Sequence, residues 1–435
     1  MWNPSKEMSA PNLLLDEQSK NLSSQVKKIY ERVAFYRRKM DTAGVTPHDI
    51  RSIRDIAKLP FTTKYEMREV YPLGLLAVER DAIVEIHTSS GTTGKPVVGA
   101  YTIGDIGLWS EVMARTLAMG NVTAADTVQN MFGYGMFTGG LGVHYGARLI
   151  GANVLPVSSG NSARQVQLLE DFGTTVITCT PSYCLYLAEF AAEHNVDLRK
   201  FNLRSGFFGA EPWSEKMRAE IEHKLGIEAF DIYGLTELIG PGVAAECGQH
   251  NGLHFFEDHF YPEIINPETG EVLPDGEKGE LVITSLTREG SPLLRYRTRD
   301  ITYIMPGYCK CGRTLRRIHR LFGRNDDMLI IRGVNVFPSQ VEEILLRIEG
   351  VEPHYQLVID RKGQLDVLTV QVEVNAAIFS DEIRQLEQIE RSIHDQIRSG
   401  LGLQVEVKLV EPKSITRSEG KAKRVIDNRN LLKEL

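Results

Sequence analysis

The segment HTSSGTTGKP at residues 87–96 joins glycines, which let a backbone approach a ligand closely, to hydroxyls, consecutive N–H groups and one cation. Such a loop can surround phosphate oxygens: the amides and hydroxyls of Ser90, Gly91, Thr92, Thr93 and Gly94 donate, and Lys95 adds charge. It is not a kinase-type P-loop, because only two residues separate Gly91 from Gly94 and Pro96 stands where a Ser or Thr would hold magnesium. A flexible polar connection between strands is the alternative for this composition. A second group is of another kind. Cys309 and Cys311 flank one residue on a Gly-bounded turn, so both thiolates reach a single Zn²⁺, whereas a disulfide between them would be strained. Tetrahedral zinc takes four ligands; Cys247 is the third, and His254 is preferred as the fourth over His250 and His259. Three reduced thiols that are neighbours only in sequence are the alternative.

The elements that must position these groups follow from periodicity and turns. Residues 82–86 and 97–101 read as strands on either side of the glycine-rich loop. Between residues 150 and 240 helices at 164–172 and 183–193 alternate with strands at 175–178, 206–208 and 230–233, and another helix is capped by Ser214 and closed by Gly226. Strand and helix in alternation imply parallel pairing, with ligands beyond the carboxyl ends of the strands. Residues 262–305 place turn residues between β-branched runs and read as antiparallel hairpins. After Gly323 the order β-α-β-β-α-β reads as a split-βαβ unit, with strands at 328–331 and 405–409, a helix begun by Pro338, a turn at Lys362-Gly363 and a helix over 380–398. The fold expected is α/β: a large N-terminal domain over 1–324 with doubly wound parallel sheets and a β-hairpin subdomain, then a small ferredoxin-like α+β domain over 325–435.

Bulk properties narrow the function. The 435 residues are 42% hydrophobic and 25% charged, an ordinary globular composition. A formal net charge of −7 gives no global attraction to nucleic acid or anionic lipid, so a nucleotide must be held locally. Neither a basic segment followed by an apolar one at the start nor an apolar run of 18 residues is present, and a cytoplasmic protein without membrane or nucleic-acid partners is expected. Five cysteines, with Cys179 and Cys184 the other two, are odd in number and too sparse for a secreted disulfide framework.

SSGTTGKP, IYGLTE, YRTRD, GRNDD and RSEGKAKR occur in that order along the chain. In these segments it resembles the adenylate-forming superfamily of acyl-CoA synthetases, peptide-synthetase adenylation domains and luciferases. PNLLLDEQ, FGYGMFTGGLG, EDHFYPEI, CKCGRT and RSEGKAKRVID resemble the phenylacetate–CoA ligase branch, and the likeness spans essentially the whole chain.

The resemblance implies roles for residues. Ser90 to Lys95 would hold the ATP phosphates. Gly209, Ala210, Glu211 and Pro212, with Asp231, Ile232, Tyr233 and Gly234, would wall the adenine pocket, Tyr233 offering a flat face. Thr236 and Glu237 would meet the α-phosphate and hold Mg²⁺, and Asp300 would accept both ribose hydroxyls, a salt bridge to Arg297 or Arg299 being its alternative. Arg324 and Asp326 stand at the hinge about which the small domain swings, and Lys421 takes the place of the adenylation lysine, with Lys423 and Arg424 nearby. Tyr134, Phe137 and Gly139 are the candidates for an aryl-acid pocket. The reaction implied is carboxylate plus ATP to acyl-adenylate and pyrophosphate, then thiol attack, most simply by coenzyme A, to give a thioester and AMP. The partners implied are an aryl carboxylate such as phenylacetate, ATP and coenzyme A, in a homodimer. Transfer to an amine, a phenol or a carrier-protein thiol, or nucleotide binding without turnover, are the rival readings.

Overall fold

The computed structural model describes residues 1–89, 95–136, 138–324, 329–332, 334–362, 365–375, 378–379, 383–418 and 421–430. They form two compact units, one of Met1–Cys179, Asp197–Ala210 and Ile227–Arg320, the other of Thr180–Val196, Glu211–Gly226 and Leu321–Leu435.

The first unit is built on a nine-stranded sheet of spatial order Ile304–Met305, Arg317–Ile318, Leu253–Phe255, Gly240–Glu246, Glu228–Leu235, Ser205–Gly209, Val176–Cys179, Thr127–Asn130, Asn153–Leu155. From Glu228–Leu235 to Asn153–Leu155 all neighbours pair parallel, as the strand–helix alternation requires. On the other side the sheet continues antiparallel, an extension that turn-bounded runs alone do not reveal. Val176–Cys179 and Ser205–Gly209 are buried along their whole length, the mark of strands covered on both faces. Within the second of these a Cβ on Gly206 would lie 2.3 Å from the Phe208 ring, so only glycine fits. The expected hairpins are present: Phe260–Ile265, Gly279–Ser285 and Tyr296–Thr302 pair antiparallel in that order. Glu85–Thr88 pairs antiparallel with Val98–Tyr101, Thr88 opposite Val98, so the two strands expected to flank the glycine-rich segment are neighbours.

In the second unit, helix Pro181–Glu193 is capped by the Thr180 hydroxyl and helix Glu215–Leu225 by Ser214, and the latter ends on Gly226 at φ 69°. A four-stranded sheet runs Glu406–Val410, Leu365–Val374, Val351–Lys362, Val425–Asp427. Helices Pro338–Leu345 and Ile383–Leu401 pack on its core through Val341, Ile344 and Leu345, and through Ile389, Ile393 and Ile397. The expected order of elements holds in sequence, but the strand expected at 328–331 does not enter this sheet. Leu329–Ile331 folds back on Val334–Val336 because Arg332, at φ 51°, turns the chain at once. Val425–Asp427 takes the fourth place instead, parallel to Val351–Lys362.

Candidate active site and metal centre

The carboxyl ends of two adjacent parallel strands bring the nucleotide candidates of the first unit together. Ser205–Gly209 pairs with Glu228–Leu235 so that Gly209 lies opposite Ile232. A Cβ at Gly209 would sit 2.4 Å from the Ile232 carbonyl, and Ala210, at φ 70°, turns the chain out of the sheet. Gly234 is as constrained, since its Cβ would lie 1.9 Å from the Gly240 carbonyl. Tyr233 and Asp300, from different sheets, meet: the phenol donates to Asp300 Oδ2 at 2.6 Å, and both side chains are buried. The Asp300 amide donates to its neighbour Thr298 Oγ1. Arg297, one of its two expected salt-bridge partners, pairs with Glu280 at 2.5 Å. Lys95 lies over the Tyr71 ring, 5.8 Å from its centre.

In the second unit the Glu211 carboxylate accepts from the amides of Ser182 at 2.8 Å and Ala422 at 3.1 Å, while Pro212 is exposed. The exposed Lys421 has its carbonyl bonded by Ser418 Oγ at 2.8 Å. Arg324 ends the strand Gly323–Arg324. Ser90, Gly91, Thr92, Thr93, Gly94, Phe137 and Asp326 lie outside the described residues.

Of the acyl candidates, Tyr134 is held from two sides: Asn130 Nδ2 donates to its hydroxyl at 2.7 Å, and His144 Nδ1 stands 3.2 Å away. Burial pushes the phenol up to about 12 and lowers the imidazole of His144. Gly139 starts the helix Thr138–Ile150 against Phe132, whose ring a Cβ would meet at 3.3 Å.

The four metal candidates converge. Ligand atoms of Cys247, His254, Cys309 and Cys311 all lie within 4.8 Å of one another. Cys247 and Cys309 sulfurs are 3.8 Å apart, and Cys311 Sγ is 3.4 Å from His254 Nε2. Zinc bonds of about 2.3 Å to sulfur and about 2.0 Å to nitrogen give tetrahedral edges of about 3.8 Å and about 3.5 Å, so the set fits. His254, Cys247 and Cys309 are buried. Burial pushes the Cys247 thiol up to about 12. At Cys311 burial also raises the thiol, but hydrogen bonds with His254 and Arg313 outweigh it and bring it to about 5. The rejected histidines are engaged elsewhere, His250 with Glu228 at 3.0 Å and His259 with Asp258 at 3.3 Å and Thr287.

The family model of AMP-binding enzymes matches residues 14–287, and that of the AMP-binding enzyme C-terminal domain matches residues 333–429. The chain belongs to the AMP-binding enzyme family. Phenylacetate-coenzyme A ligase of Escherichia coli is 49% identical over 417 residues, 95% of each chain. That of Thermus thermophilus is 45% identical over 443 residues, 99% of this chain and 100% of the other. Among solved structures, 2-hydroxyisobutyryl-CoA ligase in the postadenylation state is 28% identical with a TM-score of 0.93, over 99% of this chain and 93% of that one. The resemblance read from the ordered motifs is thereby borne out, and the chain belongs with the phenylacetate–CoA ligases.

In this AMP-binding enzyme several residues outside the motifs shape the site. Lys64, at the start of helix Lys64–Glu69, pairs with Glu237 at 3.0 Å, a contact that the local TTKYE capping box does not announce. Buried Glu237 therefore has a cation beside it as well as the place expected for Mg²⁺. Thr138 Oγ1 lies 3.3 Å from Thr236 Oγ1, which ties helix Thr138–Ile150 to the Thr236–Glu237 segment. Asn130 and His144 were likewise not singled out. Among the described residues no helix is long and apolar enough to cross a membrane.

Proposed function

We propose that the chain is an AMP-forming acyl-CoA ligase that adenylates an aryl acid such as phenylacetate and transfers the acyl group to coenzyme A. Near-full-length identity of 45–49% to proteins named phenylacetate-coenzyme A ligase carries this reading. In the first half-reaction a carboxylate oxygen attacks the α-phosphorus of ATP and pyrophosphate leaves; in the second the thiol sulfur attacks the acyl carbon and AMP leaves. Ser90 to Lys95 hold the phosphates, and Thr236 and Glu237 meet the α-phosphate and would hold Mg²⁺, which when bound would supply positive charge against the phosphate oxygens. Gly209 to Pro212 and Asp231 to Gly234 wall the adenine. Asp300 takes the ribose hydroxyls, and the Tyr233 hydrogen bond fixes that carboxylate and the ring that stacks on adenine at the same time.

Tyr134, Phe137 and Gly139 receive the acid. Residues 1–324 act as the adenylation domain and 325–435 as a domain that swings about Arg324 and Asp326 to bring Lys421 in and out. 2-Hydroxyisobutyryl-CoA ligase supports the swing, since it matches with a TM-score of 0.93 in its postadenylation state and 0.73 in its thioesterification state. Cys247, His254, Cys309 and Cys311 hold a structural Zn²⁺. We place the enzyme in the cytoplasm as a homodimer, which light scattering checks.

Acid-dependent pyrophosphate exchange with a panel of aryl, indolyl and aliphatic acids tests the reading. Exchange with aryl acids, and AMP release only when coenzyme A is added, is the expected result. AMP release with an amine or a phenol instead would reassign the acceptor, and nucleotide binding without exchange would make the chain a regulator. Asp300→Ala should weaken ATP and AMP alike by about 1.5–3 kcal/mol, because both share the ribose hydroxyls. Equal affinity of the wild type for ATP and 2′-deoxy-ATP would remove that role.

A further inference from the structure

The strand that leads into the phosphate clamp carries a histidine that none of the assigned roles uses. His87 is buried, and both of its ring nitrogens face acceptors: Nε2 lies 2.5 Å from Glu85 Oε1, and Nδ1 lies 3.2 Å from the Met136 carbonyl. Each ring nitrogen thus stands at hydrogen-bond distance from an oxygen, a carboxylate on one side and a main-chain carbonyl on the other. The other Glu85 oxygen accepts from Tyr145, on helix Thr138–Ile150, at 2.6 Å. The Met136 carbonyl also accepts from the Thr88 amide at 2.9 Å, so two consecutive residues of the clamp strand grip one carbonyl of the acyl loop. The ring is wedged edge-on against Tyr101 and Trp109, and the Trp109 indole donates to the Pro241 carbonyl beyond the Thr236–Glu237 segment.

We propose that His87 is a positioning residue: through Nδ1 it fixes Met136, two residues after the acyl candidate Tyr134, against the strand entering the phosphate clamp, and so sets the distance from carboxylate to α-phosphorus. Adenylation needs those two reactants in line and in contact, and a displacement of about 1 Å costs on the order of 10²-fold in rate. The Nε2 side, with Glu85 and Tyr145, orients the ring and does not touch the loop. The inference rests on the ligase reading and on residues 90–95 and 134–139 as clamp and acyl pocket.

Two amides separate the nitrogens. In His87→Asn the amide nitrogen stands where Nδ1 was and still donates to Met136; in His87→Gln it stands where Nε2 was and reaches only Glu85. Each loses one buried hydrogen bond, so both should lower the thermal midpoint by a similar amount. His87→Asn should keep kcat for acid-dependent pyrophosphate exchange within about threefold of wild type, and His87→Gln should lose roughly 10–100-fold. Thioester formation from preformed acyl-adenylate should stay near wild type in both. Equal losses of exchange, or losses that follow the thermal midpoint, would overturn the proposal. If His87→Gln does not fold, His87→Ala replaces it: it too lacks the Nδ1 contact, so its exchange must fall roughly 10–100-fold below that of His87→Asn, and equal exchange in the two overturns the proposal as well. Absence of exchange in the wild type would overturn the ligase reading and this inference with it, whereas exchange in the wild type with equal variant losses overturns the inference alone.

Discussion

Replacing Lys421 by alanine should cut acid-dependent pyrophosphate exchange by a factor on the order of 10²–10³, while thioester formation from preformed acyl-adenylate stays near the wild-type rate. The asymmetry follows from where charge develops. As the carboxylate attacks, negative charge grows on the oxygens around the α-phosphorus and on the departing pyrophosphate, and one preorganised ammonium there stabilises the transition state more than the ground state. In the second half-reaction the leaving group is AMP and the nucleophile a thiol, so a lysine carried away by the small domain has no part in it. The local structure suits a presented cation: Ser418 Oγ bonds the Lys421 carbonyl, and the next amide, Ala422, is held by Glu211. Equal loss in both half-reactions would make Lys421 structural or abolish the swing. Loss in neither would transfer the role to Lys423 or Arg424.

What the sequence disclosed and what it hid divide along a physical line. Cys309–Cys311 were legible because a shared ligand imposes a residue type at a fixed local spacing, whatever the distant partner is, whereas Gly209 and Gly234 were singled out by the motif resemblance and their close backbone approach is seen only in the structure. The parallel strands were legible because burial on both faces writes continuous apolar runs, as in Val176–Cys179. Polar partners brought together by the fold were not. Lys64 pairs with Glu237 across 173 residues of chain (237 − 64), and Tyr233 with Asp300 across 67. Neither pairing leaves a local pattern, because a lysine near a capping box reads as a solvated helix start. The same holds for Asn130 and His144 around Tyr134. The edge strand Val425–Asp427 escaped for a third reason: three residues after a basic tract are too short for periodicity to register, and only the parallel register with Leu357–Ile359 defines them.

Metal analysis of protein purified without added zinc should find about one equivalent per chain, and its removal should destabilise the fold far more than it slows adenylation per folded molecule. Four protein ligands would leave no open coordination position, so an ion held there would have no place for substrate or water and would act through structure alone. Its ligands come from separated pieces: Cys247 follows strand Gly240–Glu246, His254 lies in Leu253–Phe255, and Cys309 and Cys311 precede the strand Arg317–Ile318 that pairs with it. Three thiolates and one neutral imidazole around Zn²⁺ leave one net negative charge, and Arg313, hydrogen-bonded to Cys311, stands beside it. Arg313 in turn bonds Glu7 Oε2 at 2.5 Å, and the other Glu7 oxygen accepts from the amides of Trp2 and Asn3, so the knuckle also anchors the first turn of the chain. Without the ion, two buried thiols, the half-buried Cys311 and a buried imidazole lose the partner that offsets their desolvation. Cys309→Ser or Cys311→Ser should therefore lower metal content and depress the thermal midpoint by on the order of 5–10 °C, with protease cleavage near the N-terminus rising first. Cys179→Ser and Cys184→Ser, which are not among the four converging residues, should leave zinc content unchanged. Full occupancy after loss of both Cys309 and Cys311 would remove zinc from these four residues, and an unchanged midpoint after complete chelation would remove its structural role.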